Sequence, residues 1–219
     1  MLFVDVETLG LKPGVNPITG IGAVDSNNTR DRFMAEVQVL DGAQMCASAL
    51  NYQKYTPENV EALRAPWRKD INVAIGEFVK WYVSHDDQTF AGQNPLELDR
   101  PMLLHAAEQA GIEVQLGHRS FDLQSAVMLD VEQAGFQIPL AKKRSAVSSN
   151  FIQDYLGLPR EQKPHIGIMG ALWEADAHNI LVHGEHSVDA LMKYKLPTRK
   201  HKQNEVYKEF RRLEAASLA

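Results

Sequence analysis

The chain opens on Leu2-Phe3-Val4, a short apolar and partly β-branched run ending at Asp5, as a buried strand presenting carboxylates at its tip reads. Gly10, Pro13 and Gly14 then turn the chain. Residues 18–25 and 33–40 have the length and composition of two further strands, separated by the turn formers Asp25-Ser26-Asn27-Asn28. A three-stranded meander is expected. Thr56-Pro57-Glu58 sets a capping hydroxyl before a first-turn proline and an acid, so a helix starts there and ends by Pro66. Val73, Phe78, Val79, Tyr82 and Val83 recur near helical spacing, and a short strand over 89–91 precedes a turn at 92–95.

Beyond that point helices and strands alternate. The pattern predicts a helix over 98–109 closed by Gly111, a strand over 120–123, and a helix over 124–133 closed by Gly135. A helix over 148–155, ended by Gly157 and Pro159, carries Phe151, Ile152 and Tyr155 on its apolar side. In residues 160–182, Pro164, Gly167 and Gly170 argue against one continuous helix and leave room for a short one over 169–177. Further helices are expected over 187–195, stopping before Pro197, and over 204–216.

With 219 residues and 44% hydrophobic content, the chain can bury one ordinary core, so residues 1–219 are expected to form a single domain with a basic C-terminal helical segment at 191–219. No apolar run approaches the roughly 18 residues of a membrane span, and the N-terminus lacks a basic segment leading into an apolar one. The lone Cys46 cannot form an internal disulfide. A cytoplasmic protein without a membrane partner is expected. The net charge of -5 counts against a nucleic-acid partner, yet Lys193, Lys195, Arg199, Lys200, Lys202, Lys208, Arg211 and Arg212 cluster against only Glu205 and Glu209.

Asp5-Val6-Glu7 puts two carboxylates on one face of a strand, because alternate side chains share a face. Their repulsion must be offset by a cation, a proton or donors, and oxygen-rich sites of this kind suit Mg²⁺ or Mn²⁺. Two more segments add carboxylates: Gly92-Gln93-Asn94-Pro95-Leu96-Glu97-Leu98-Asp99-Arg100 and His183-Gly184-Glu185-His186-Ser187-Val188-Asp189-Ala190.

In this order the three segments resemble the DEDD (DnaQ-like, DEDDh-type) 3′-5′ exonuclease superfamily. Its first motif is D-x-E-T-x-G, matched at residues 5–10. Its second is an Asn four or five residues before an Asp that opens a helix, matched by Asn94 and Asp99 at the longer spacing of oligoribonucleases. Its third is a His preceding, usually by five residues, an Asp in the last core helix. Phage exonucleases acting on single-stranded DNA look most similar, since Thr56-Pro57-Glu58 and Asp189-Ala190-Leu191-Met192-Lys193-Tyr194 have counterparts there.

The resemblance implies an α/β ribonuclease H-like fold, a mixed central sheet flanked by helices, and metal-dependent 3′-5′ exonuclease activity. Asp5, Glu7, Asp99 and Asp189 would hold two Mg²⁺ or Mn²⁺ ions, a pair able to clamp the attacking and leaving oxygens at phosphorus. The third motif departs from the pattern, because the residue five before Asp189 is Gly184. His183 lies six before it and His186 three before it. Both are candidates for the general base, with His183 better placed to swing toward water from a loop.

Thr8 and Leu9 match positions lining the pocket for the terminal nucleotide, with Leu9 as the apolar wedge. Asn94 reads as a turn residue whose amide steadies the loop before Asp99. Of the tryptophans, Trp67 is the better candidate for exposure and Trp81 for the core. Single-stranded DNA is favoured over RNA as the partner, although the oligoribonuclease-like spacing around Asp99 belongs to RNA enzymes. A third reading is a nucleic-acid-binding module that keeps the fold without turnover, against which the joint presence of four carboxylates argues. The oligomeric state is left open.

Overall fold

The protein is described by a computed structural model for residues 1–217; Leu218 and Ala219, the end of the expected 191–219 segment, lie outside the described residues. The chain divides into two compact units, one of Met1–Phe121 with Glu161–Leu172 and the other of Asp122–Arg160 with Trp173–Ala219.

In the first unit, β1 (Leu2–Thr8) pairs antiparallel with β2 (Ile18–Asp25) and parallel with β4 (Phe90–Gly92), while β3 (Asn28–Glu36) pairs antiparallel with β2. With β5 (Ser120–Asp122) these form a five-stranded mixed sheet in the order β3-β2-β1-β4-β5. The pleat of β1 sorts its residues. Leu2, Val4 and Val6 enter the core with Ile75, Phe78 and Tyr82 of α3 (Ile71–Val83) and Met102 and Leu103 of α4 (Asp99–Gln109). Phe3, Asp5 and Glu7 take the opposite face, where Phe3 meets Phe121 edge to face. The Asp70 side chain starts α3 by accepting from the Asn72 N–H. Two short helices, α1 (Ala47–Gln53) and α2 (Pro57–Ala62), lie between the meander and α3, and Thr56 caps α2 as its sequence predicts.

The meander is tighter than expected: β3 begins at Asn28 rather than Phe33. The Asp25 carboxylate accepts from the Asn27 N–H at 2.9 Å, so Ser26 and Asn27 suffice to reverse the chain. A larger difference lies at α7, which runs unbroken over Gly167–His183 instead of 169–177. The intrinsic cost of its glycines is outweighed by packing. Gly167 sits against the β2 backbone so closely that a Cβ on Gly22 would fall 2.1 Å from the Gly167 carbonyl carbon.

In the second unit, Asp122 caps α5 (Leu123–Gln133), and Ser148 and Gly157 bound α6 (Ser149–Leu156). Strands β6 (Leu140–Ala141) and β7 (Arg144–Ser145) form a hairpin. The last helix, α8 (Arg199–Ser217), begins earlier than residue 204 and packs on α6, where the His201 ring bonds the Asp154 carbonyl at 2.7 Å. The helix expected over 187–195 is reduced to one 3-10 turn at Asp189–Leu191. Its would-be first N–H groups are taken elsewhere: Ser187 and Val188 donate to the buried Asp176 carboxylate of α7 at 2.6 and 2.9 Å.

The approach of Gly167 to Gly22 yields a stability prediction. Gly22→Ala puts a methyl group into backbone atoms that have no rotamer to yield, so it should destabilise the protein by ~3 kcal/mol, the upper end for overpacking. Urea unfolding followed by circular dichroism should show the midpoint fall; an unchanged midpoint would mean that the seam is loose.

Candidate active site

Three carboxylates meet where β1 reaches the start of α4. Asp5 and Glu7 share the face of β1 turned away from α3 and α4, Glu7 buried and Asp5 half-buried, and Asp99, the first residue of α4, is buried. Asp99 reaches the strand through one of its oxygens, Oδ1, which accepts the Val6 N–H at 2.9 Å. The residue before a helix and its first turn is where a carboxylate also meets unpaired N–H groups, which suits Asp99 to this position.

A second layer comes from α1 and from the segment before α7. Gln53, the last residue of α1 and buried, donates through Nε2 to Glu7 Oε2 at 2.9 Å and accepts through Oε1 from the His165 N–H at 2.9 Å. One amide thus joins the strand to residues 161–165. Glu161 Oε2 lies 3.4 Å from His165 Nδ1, which is itself 4.0 Å from Glu7 Oε1. The other oxygen, Glu161 Oε1, is shut off from solvent and has no hydrogen-bond partner. Tyr52 presents its ring edge-on to His165, and Lys163 Nζ rests 3.2 Å above the centre of the Tyr52 ring.

The electrostatics follow from burial. Desolvation raises the Asp5 carboxyl to about 7, with the Glu7 side chain, hydrogen-bonded to it, pulling the other way. Glu7 is raised well above the ordinary range by desolvation and then by the charges of Asp5, Glu161 and Asp99. Asp99 is raised by desolvation and Asp5, against the Val6 hydrogen bond. Glu161 is pushed up to about 8, again by burial first and Asp5 second. His165 is driven down to about 4 by burial and by Lys163, so its ring is neutral near pH 7. Glu7, Glu161 and His165 each offer one ligand atom, all within 4.8 Å of one another. Oxygen donors, a neutral imidazole and an unmet buried oxygen fit a divalent cation.

The sequence-derived residues divide between the units. Asp5, Glu7 and Asp99 come together in the first. Thr8 hydrogen-bonds the Gly10 carbonyl, and Asn94 holds a left-handed conformation (φ 52°) in the turn before α4. Leu9 is fully buried beside Val39 and Leu63, with no exposed surface to offer a base. In the second unit, His183 is the exposed last residue of α7, and Asp189 is exposed at the start of the 3-10 turn. The His186 ring is engaged at both nitrogens, by Asp176 Oδ2 at 2.7 Å and by the Tyr194 carbonyl at 2.9 Å, a structural role.

Part of the basic stretch is also committed within its unit. Lys202 pairs with Asp130 at 2.7 Å over the Tyr155 ring, and Lys208 and Arg212 pair with Glu205 and Glu209. Trp67 is 67% exposed beside the Arg68 guanidinium, whereas Trp81 packs on Phe33 and Phe78. Glu161 and His165 are the residues that sequence reasoning missed. Their i, i+4 spacing and the Pro164-His165 pair were the available signals.

No family model matches the sequence, and no curated protein matches it. Solved structures do. E. coli exonuclease I in complex with a dT13 oligonucleotide superposes with a TM-score of 0.65 at 12% identity, over 83% of this chain and 40% of that one. The same enzyme with a dA16 oligonucleotide gives 0.63 at 13% identity, over 84% and 40%. Cell-death related nuclease 4 (CRN-4) gives 0.58 at 14% identity, over 89% and 64%. The chain therefore spans about 40% of the length of exonuclease I and has its ribonuclease H-like exonuclease fold. Among the described residues no helix is long and apolar enough to cross a membrane.

The raised carboxyls predict how the metal-free protein responds to pH. Each has a folded pKa above its unfolded value, so its contribution to stability is intact below about pH 4 and is lost as pH rises through 7 and 8. With EDTA present, the melting temperature should fall between pH 5 and 9, and adding Mg²⁺ should recover it most at the alkaline end. Glu7→Gln should flatten the slope. Scanning fluorimetry across that range tests this, and a metal-free melting temperature that rises toward pH 9 would contradict it.

Proposed function

We propose that the chain is a metal-dependent 3′-5′ exonuclease that hydrolyses phosphodiester bonds of single-stranded DNA from the 3′ end, releasing nucleoside 5′-monophosphates. The observation that carries this reading is the convergence of the half-buried Asp5 with the buried Glu7 and Asp99 carboxylates in a fold shared with an exonuclease crystallised on oligonucleotides. Like charges out of water call for cations, and the substrate is a polyanion that such a group would otherwise repel.

Two Mg²⁺ or Mn²⁺ ions held by Asp5, Glu7 and Asp99 would neutralise charge developing at phosphorus and make bound water more acidic. The chain's own groups do the positioning. The Val6 N–H fixes Asp99, and the Gln53 amide fixes Glu7. His165, neutral near pH 7 and 4.0 Å from Glu7, offers a ring nitrogen to the same group. Asp189 and His183 enter this reading through the family resemblance, Asp189 as a fourth carboxylate and His183 as the general base.

The test is hydrolysis of 3′- and 5′-labelled single-stranded DNA and RNA with Mg²⁺, Mn²⁺ or EDTA. Stepwise loss from the 3′ end of DNA, abolished by EDTA, is expected; faster loss from RNA would move the substrate to the alternative class. Asp5→Asn and Asp99→Asn should each lower turnover by roughly 10²-fold or more, since each removes several kcal/mol of charge stabilisation, while leaving the fold intact by circular dichroism. Undiminished turnover in either variant would remove the metal-dependent reading.

A further inference from the structure

In the pattern that the sequence resembles, a histidine is followed five residues later by an aspartate of the metal site. His165 stands beside Glu7, and the residue five after it is Gly170. That glycine faces the site. A Cβ built on it would lie 2.2 Å from Asp5 Oδ2 and 2.7 Å from the Asp5 carboxyl carbon. The first turn of α7 therefore comes right up to Asp5 and delivers no side chain there, so a carboxylate at this place has no room while Asp5 keeps its position.

Four residues before His165 the opposite holds. Glu161 brings a carboxylate to the same group from the segment ahead of α7. Only 11% of its side chain is exposed; Oε2 is 3.4 Å from His165 Nδ1, and Oε1 is enclosed without a hydrogen-bond partner. An enclosed carboxylate oxygen with no donor is costly unless a cation or proton meets it. Glu7 Oε1 is on the other side of the His165 ring nitrogen at 4.0 Å, and one ligand atom from each of the three falls within 4.8 Å of the others.

We propose that Glu161 is a cation-binding carboxylate of this site, supplied from ahead of His165 because the place behind it is taken by Gly170. This rests on the metal-dependent reading above for its purpose, and on the geometry of Glu7, Glu161, His165 and Gly170 for its assignment. Glu161 then gives the first unit a fourth carboxylate, the role that the family resemblance gave to Asp189. The donor set of two carboxylates and an imidazole accepts Mn²⁺, which tolerates nitrogen better than Mg²⁺ does.

The experiment measures metal binding separately from hydrolysis. Mn²⁺ is titrated into the metal-free full chain by calorimetry and by the loss of free-ion electron paramagnetic resonance signal, for the wild type, Glu161→Gln and Asp189→Asn. Glu161→Gln should weaken at least one Mn²⁺ by about 10-fold or more, since changes even one layer out from a ligand cost that much. Its metal-free melting temperature should hold or rise, which establishes that the variant folds. As a second measurement, ¹⁴N coupling to bound Mn²⁺ in the wild type, lost in His165→Gln, would place the cation in this group.

Wild-type affinity in Glu161→Gln overturns the proposal and leaves Glu161 as a positioning partner of His165. The proposal is equally overturned if the wild type binds no Mn²⁺, or if Asp189→Asn alone weakens binding. The two readings fail separately. A chain that degrades single strands while Glu161→Gln binds Mn²⁺ normally refutes only the assignment of Glu161. A chain without nuclease activity, whose Mn²⁺ binding depends on Glu161, refutes only the proposed reaction.

Discussion

Buried carboxylates that point at one another are the constraint around which the first unit is arranged. Asp5, Glu7, Asp99 and Glu161 each lose hydration, the last three also feel like-charged neighbours, and burial is the largest effect for every one of them. A chain keeps such a group only by holding it from several directions. β1 supplies two members from one pleat, and the first residue of α4 supplies a third through its bond to the Val6 N–H. Gln53 ties the fourth member's segment to Glu7 by bonding the His165 backbone. The apolar packing of Leu2, Val4 and Val6 against α3 and α4 anchors β1 on its other face, so the strand cannot retreat from the repulsion.

The glycine seam follows from the same demand. For α7 to begin beside the tip of β1, its first turn must pass β2 at backbone distance, where Gly22 and Gly167 have no side chains, and Gly170 leaves room for the Asp5 side chain. Glycines that read as helix breakers in isolation are here the condition for the helix to start where it does. Their propensity cost is about 1 kcal/mol each, small beside the packing of a 17-residue helix.

That substitution of tertiary for local preference marks the limit of what the sequence made legible. The meander, α3 to α5 and α6 were readable because strand alternation, caps and closing glycines all agreed. Asp5 and Glu7 were readable from period 2, and Asp99 through the family resemblance, whose second motif pairs it with Asn94. Glu161 and His165 were not, because the segment around Pro164 looks like irregular connection and its side chains meet the others only through long-range folding. The helix expected at 187–195 failed for a related reason. The Asp176 carboxylate, ten or more residues upstream, claims the N–H groups that a helix start would leave open. It also claims the His186 ring, which the family resemblance had made a candidate base.

The bond from the Val6 N–H to Asp99 Oδ1 also ties one carboxylate of the group to the backbone of the strand that carries the other two. Glu7 is tied in its turn, through Oε2 to the Gln53 amide, whose Oε1 holds the His165 N–H. Neither acid can shift without stranding a donor inside the protein, at a cost of about 1–3 kcal/mol. The fold thus sets both side chains in place before anything binds to them.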